Sequence, residues 1–253
     1  MTTDEPTMQR VARALALART VAVLTGAGMS AESGVPTFRG TDGLWRTFRP
    51  EQLATPEAFA RDPGTVWEWY RWRRSRMAAV APNPGHLALA RLEARFSEFT
   101  VVTQNIDGLH ARAGSREIIE LHGNIWRDRC TANVNHLVVH RPDEPIAGGA
   151  SGALPRCHCG AVMRPDVVWF GEALDPVNTQ RACDAVRRAD VVLVVGTSSV
   201  VYPAASLPGL ARQAGAYVVE INPEETPLSR EMDAVLRGPS GVVLPSIEGL
   251  LSP

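Results

Sequence analysis

Along residues 8–19 (MQRVARALALAR) apolar side chains return every three or four positions, the period of a helix that buries one face. The run VAVLT at 21–25 follows; it is short, β-branched and ended by glycine, which predicts a buried strand feeding a tight turn. The same grammar returns with a helix near 86–95 before TVVTQN, with CDAVRRAD before VVLVVGTSS, and with ASLPGLARQAG before YVVEINP. Apolar strands alternating with helices predict an α/β fold built on a doubly wound parallel sheet. Polar or glycine residues follow each strand: Gly26, Gln104 and Asn105, Gly196 to Ser198, and Asn222. In such sheets ligands bind beyond the carboxyl ends of the strands.

Two stretches break the alternation. Residues 36–81 are rich in Trp and Arg without a clear strand, and residues 123–165 are rich in Gly, Pro, His and Cys. They predict a smaller inserted module, helical in part, leaving the sheet domain to about 8–35, 82–122 and 166–253. Within 253 residues this is one catalytic-sized unit, with GGASGA at 148–153 as a flexible loop.

Composition narrows the partners. No apolar run approaches the ~20 residues that span a bilayer, and the start of the chain lacks the layout of a signal peptide, so a cytoplasmic location and no membrane partner are expected. A formal net charge of -1 with interspersed charges gives no general attraction to nucleic acid, and a monomer is the default. All 26 basic residues are Arg; the chain has no Lys.

Gly26-Ala27-Gly28-Met29-Ser30-Ala31 has the G-x-G-x-x-A form of a dinucleotide fingerprint directly after a strand. The first glycine serves the turn and the second lets backbone N–H groups approach a pyrophosphate. A hydride-transferring enzyme also needs an acid about 20 residues on, at the end of a second strand. The segment FRGTDGLWRTFRPEQLA offers acids but no strand, so nucleotide binding survives and dehydrogenation weakens.

Six segments in order, GAGMSAESGVPTFRG (26–40), TQNIDGLH (103–110), HGN (122–124), RPDVVWFGE (164–172), VVGTSSVVYPAA (194–205) and INPEETPLS (221–229), resemble the sirtuin family over nearly the whole chain. The resemblance implies a Rossmann-like domain with a small helical and zinc-ribbon-like module. It implies NAD as a consumed co-substrate, acylated lysine in proteins as the partner, and nicotinamide and O-acyl-ADP-ribose as products. It implies His122 as catalytic base, apt because imidazole titrates near working pH. Asn105 and Gln104 would hold ribose and water, and Asp107 with Ile106 the nicotinamide carboxamide. Phe38 and Arg39 would belong to a cofactor loop, Gly26, Ala27, Gly28, Ala31, Gly196, Thr197 and Ser198 to the phosphate and ribose region, and Asn222, Pro223, Glu224 and Ser240 to the adenosine end. Val168, Phe170 and Gly171, in a strand VVWFGE at 167–172, would pair with the substrate backbone. His86, His110, His136, His140 and His158 read as structural.

Tyr70 and Arg73 stand at i and i+3 in the helical segment WEWYRWRRSR, so they share a face and can bind one carboxylate together. This Y-x-x-R resembles the signature of class III sirtuins, which implies a preference for succinyl or malonyl over acetyl lysine. The family's zinc pattern of two cysteine pairs is incomplete here: Cys130 is followed by Asn133 where a second thiolate belongs, and Cys157 and Cys159 form the second pair. Zn2+ would need a fourth ligand, His136 or His158, and packing without metal is the alternative. A protein ADP-ribosyltransferase and a non-catalytic NAD-binding module remain as other readings of the same pocket.

Overall fold

The computed structural model describes residues 5–37, 49–144 and 153–251. The expected cofactor-loop residues Phe38 and Arg39 lie outside them, as does most of the 148–153 loop. Helix α1 (Glu5–Leu17) leads into β1 (Thr20–Thr25) and the one-turn α2 (Gly28–Ala31). Short helices α3 (Pro50–Leu53) and α4 (Pro56–Arg61) precede the long α5 (Pro63–Ala78) and then α6 (Pro84–Glu93). Next come β2 (Glu98–Thr103), α7 (Leu109–Ala113) and β3 (Ile118–Glu120), followed by β4 (Gly123–Cys130), β5 (Leu137–Val139) and β6 (Met163–Val167). The chain closes with α8 (Pro176–Arg188), β7 (Val191–Val195), α9 (Leu207–Gln213), β8 (Tyr217–Ile221), β9 (Ala234–Leu236) and α10 (Ser240–Leu251).

Six strands form a parallel sheet in the order β3-β2-β1-β7-β8-β9, so the chain reverses its direction of winding between β1 and β7. Alternate residues of each central strand go to opposite cores. Val21 and Val23 of β1, and Val191, Leu193 and Val195 of β7, pack with α1, α6 and α10. Ala22, Leu24, Val192 and Val194 pack with α8 and α9. Burial on both faces is why these strands read as unbroken apolar runs. Among the described residues no helix is long and apolar enough to cross a membrane.

A second, antiparallel sheet of order β5-β4-β6 carries the cysteine-rich region. Helix α5 lies against it: Trp67 Nε1 donates to the Met163 carbonyl at 3.0 Å, and the buried Arg74 guanidinium donates to the Ile125 carbonyl and to Asp128, each at 2.5 Å. Asp62 caps the start of α5 by accepting from the Thr65 N–H at 3.1 Å, with Pro63 in the first turn. The strand expected over 167–172 is corrected. β6 ends at Val167, and the next N–H groups are spent inside the chain, Val168 on the His122 carbonyl at 3.0 Å, Trp169 on Glu172 at 2.8 Å and Phe170 on the Ala54 carbonyl at 2.9 Å.

Candidate active site

A cavity of about 1050 Å³ opens where the winding reverses, beyond the carboxyl ends of β1 and β7. Its wall includes Gly26, Ala27 and Gly28 after β1, Gln104, Asn105 and Ile106 after β2, and Gly196, Thr197 and Ser198 after β7. His122, Asn222 and Glu224 complete one side, and Tyr70, Arg73, Val168, Phe170 and Gly171 the other. Most residues singled out along the sequence therefore meet in one place.

The glycine loop is shaped by its neighbour. A side-chain carbon on Gly26 would stand 2.8 Å from the Thr197 Cα, and one on Gly28 would stand 2.8 Å from the Gly196 carbonyl oxygen. The Gly28 N–H donates to that same carbonyl at 2.8 Å, and Gly196 itself adopts φ +58°. The second glycine is thus required for loop-to-loop contact as well as for approach of a ligand. This backbone cradle, lacking side chains, fits a pyrophosphate.

His122 Nδ1 lies 2.9 Å from the Gln104 carbonyl. A carbonyl only accepts, so Nδ1 carries the proton and Nε2 is left as the basic nitrogen. Burial pushes the imidazole below its ordinary pKa, against the raising effect of that hydrogen bond, so the base is held neutral. Gly123, at φ +80° and in contact with the Asp166 carbonyl, lets the chain turn from His122 into β4.

Asn105 is fixed by donating to the Gly26 carbonyl at 2.9 Å and to Ser30 Oγ at 3.1 Å, and Gln104 by donating to Thr197 Oγ1 at 3.0 Å. Asp107, next to Ile106, is buried and does not itself border this cavity, accepting from Ser30 Oγ at 2.8 Å and the Leu109 N–H at 2.9 Å. Burial raises its carboxyl, with those two hydrogen bonds and the nearby Arg73 pulling down. Ser240 is also off the wall: its hydroxyl donates to Glu32 at 3.1 Å, bracing α10 against α2. Ala31 sits on the exposed end of α2 and Pro223 on an exposed loop, neither on the wall.

Ser30 and two of the histidines read as structural were not picked out as part of the site. His86 Nε2 lies 3.4 Å from Ser30 Oγ, His110 Nε2 3.0 Å from Thr25 Oγ1, and the two rings meet tilted at 57° with centroids 4.8 Å apart. Burial depresses His86 to about 4 and His110 to about 3, so both are neutral supports behind the glycine loop. The signal for Ser30 was its hydroxyl inside the fingerprint itself.

At the other end, Tyr70 and Arg73 are buried on one face of α5. The Arg73 guanidinium lies 5.0 Å from the Trp69 ring centre and 5.9 Å from that of Tyr70. Burial lowers the Arg73 pKa and raises that of Tyr70, so the phenol keeps its proton beside a cation.

The family model described as "Sir2 family" matches residues 26–203. This chain belongs to the Sir2 family. An NAD-dependent protein deacylase 2 of Pyrobaculum aerophilum is 51% identical over 238 residues, 94% of this chain and 93% of the relative. An NAD-dependent protein deacylase of Pyrococcus furiosus is also 51% identical, over 94% of this chain and 95% of its own. Among solved structures, a complex of a Sir2 homologue with NAD superposes with a TM-score of 0.87 at 46% identity, covering 96% and 95% of the two chains. A Sir2 protein bound to a myristoylated histone peptide superposes at 0.77 with 33% identity, covering 98% and 97%.

The sirtuin metal question is answered by geometry. One ligand atom from each of Cys130, His136, Cys157 and Cys159 lies within 4.8 Å of the others. Tetrahedral zinc with bonds of about 2.3 Å to sulfur spaces its ligands by about 3.8 Å, so this Cys3His set fits Zn2+. His136 Nδ1 stands 3.3 Å from Cys157 Sγ, so His136 would supply the fourth ligand, while the His158 ring lies tilted beside it with centres 4.2 Å apart. Asn133 occupies no ligand position; its Oδ1 accepts from the Asn135 N–H at 3.0 Å, and its amide nitrogen lies 3.1 Å from His136 Nε2.

Proposed function

We propose that this sirtuin removes acidic acyl groups, succinyl or malonyl, from protein lysines in an NAD-dependent reaction. The observation that carries the reading is the presence of Tyr70 and Arg73 on the wall of the same cavity as His122 and the glycine loop. Acetyl lysine ends in a methyl group with no use for a buried guanidinium. A terminal carboxylate would repay its burial through an Arg fork and a phenol donor.

In this reading the Gly26–Gly28 and Gly196–Ser198 loops hold the dinucleotide phosphates, with Asn222 and Glu224 at the adenosine end. Asn105 and Gln104 hold the nicotinamide ribose, and Asp107 with Ile106 holds the carboxamide. The acyl oxygen attacks C1′ of that ribose as nicotinamide leaves. His122 Nε2 then takes a proton from a ribose hydroxyl, whose oxygen attacks the acyl carbon; water finally releases lysine and O-acyl-ADP-ribose. The substrate chain lies along 168–171 and pairs chiefly through carbonyl groups, since the N–H groups of Val168 and Phe170 are already bonded.

The test is nicotinamide release from matched acetyl- and succinyl-lysine peptides by the parent and Arg73→Ala. The parent is expected to favour succinyl. The variant is expected to lose roughly ten- to hundredfold in kcat/KM on succinyl, the worth of a hydrogen-bonded charge pair, with a much smaller loss on acetyl. Equal losses on both peptides, or a parent that favours acetyl, would reject the acidic-acyl assignment.

A further inference from the structure

One hydrogen bond at the acyl end has a direction fixed by the chemistry of its partners. Trp169 Nε1 lies 2.9 Å from the Tyr70 oxygen, and both residues are buried. An indole N–H can only donate, so at this contact the phenol oxygen accepts. A phenol hydrogen favours the plane of its ring, and the indole N–H closes the orientation that would face it. The Tyr70 proton is left for another acceptor.

The indole that imposes this direction is itself held on several sides. Phe59 packs against it with ring centroids 5.3 Å apart, and the Arg164 guanidinium lies 3.3 Å from its centre. Arg164 is in turn fixed by Glu172, which it meets at 2.5 and 3.0 Å through two nitrogens, and by the Val167 carbonyl at 2.9 Å. Glu172 also accepts the backbone N–H of Trp169 at 2.8 Å. Glu172, Arg164, Trp169 and Tyr70 thus form one chain of contacts ending at the cavity wall, with no freedom for the indole to swing away.

We propose that Trp169 is a specificity-determining positioning residue: by occupying the acceptor side of Tyr70 it commits the phenol proton to the carboxylate of an acidic acyl group. The inference rests on the acidic-acyl reading of the pocket. Trp169 acts through Tyr70, and an acetyl group offers no carboxylate to receive the proton. The residue therefore discriminates between acyl groups by setting the sense of a hydrogen bond.

The experiment is a double-variant cycle on the full chain, Trp169→Phe, Tyr70→Phe and both together, reading the ratio of succinyl KM to acetyl KM. Trp169→Phe keeps an aromatic ring while removing the donor together with the five-membered ring that bears it; the ratio is expected to rise about three- to tenfold, the range for one neutral hydrogen bond. The double variant is expected to be no worse than Tyr70→Phe alone. A ratio unchanged in Trp169→Phe but raised in Tyr70→Phe, or fully additive losses, overturns the inference while leaving the pocket assignment intact. A parent with no acidic-acyl preference overturns both. A second readout avoids catalysis: the Trp169 indole N–H proton resonance is expected to move upfield in Tyr70→Phe and to shift more with succinyl-lysine than with acetyl-lysine peptide. An indole resonance indifferent to Tyr70→Phe also overturns the inference.

Discussion

His122 is kept basic by two opposed influences, burial that disfavours its cation and a carbonyl that fixes its tautomer. Because burial wins, its proton is lost below the ordinary histidine range. Activity is expected to rise with pH through a midpoint under about 6.5 and to be flat above it, as a kcat profile from pH 5 to 8 would show. A midpoint above that value would mean that the base is charged in the resting enzyme. His122, Gln104 and Asn105 stood out through the family resemblance of their segments and the Tyr70–Arg73 pair through its i, i+3 spacing, and all five line the one cavity. Ser30, His86 and Trp169 were not, because their roles exist only across tertiary contacts: Ser30 meets Asp107 from 77 residues away, and Trp169 meets Tyr70 from 99.

Helix α5 carries two of the residues that give the site its expected selectivity, and its neighbour Arg74 fastens it to β4. That guanidinium is buried, paired with Asp128 and bonded to the Ile125 carbonyl; His140 lies 2.8 Å from the other Asp128 oxygen. Removing one member of such a pair strands a buried charge, so Arg74→Ala is expected to cost about 3–5 kcal/mol, read as a lower denaturant midpoint. A loss under about 1 kcal/mol would place the pair among the surface contacts that contribute little. The helix could be read from its spacing, but the burial of Arg73 and Arg74 could not, since arginines at these positions look like a solvent face. The 167–172 segment shows the reverse error: a β-rich run proved to be a loop, because its N–H groups serve His122, Glu172 and Ala54.

At the scale of the molecule, two sheets with separate supports flank one cavity. The antiparallel sheet carries the Cys130, His136, Cys157 and Cys159 cluster, beside which Trp67 and Met163 pack. Chelation of the metal is expected to lower the melting temperature and to speed hydrogen exchange in β4, β5 and residues 153–163, while leaving β1, β7 and β8 protected. Unchanged exchange there would assign the sheet to packing alone. The alternation of strand and helix made the parallel sheet readable, whereas the order of its strands was not, because order is decided by which faces meet. That order couples site assembly to synthesis. β1 begins at Thr20 and must be joined by β7, whose Val191 pairs with Val21, before the glycine loop gains the backbone that shapes it. A nascent chain that has emerged only as far as α8 holds His122, Tyr70 and half a phosphate cradle, yet nothing that can grip a dinucleotide. Competence to bind NAD therefore arrives late and all at once, and until then the edge of β1 that β7 covers stays unpaired.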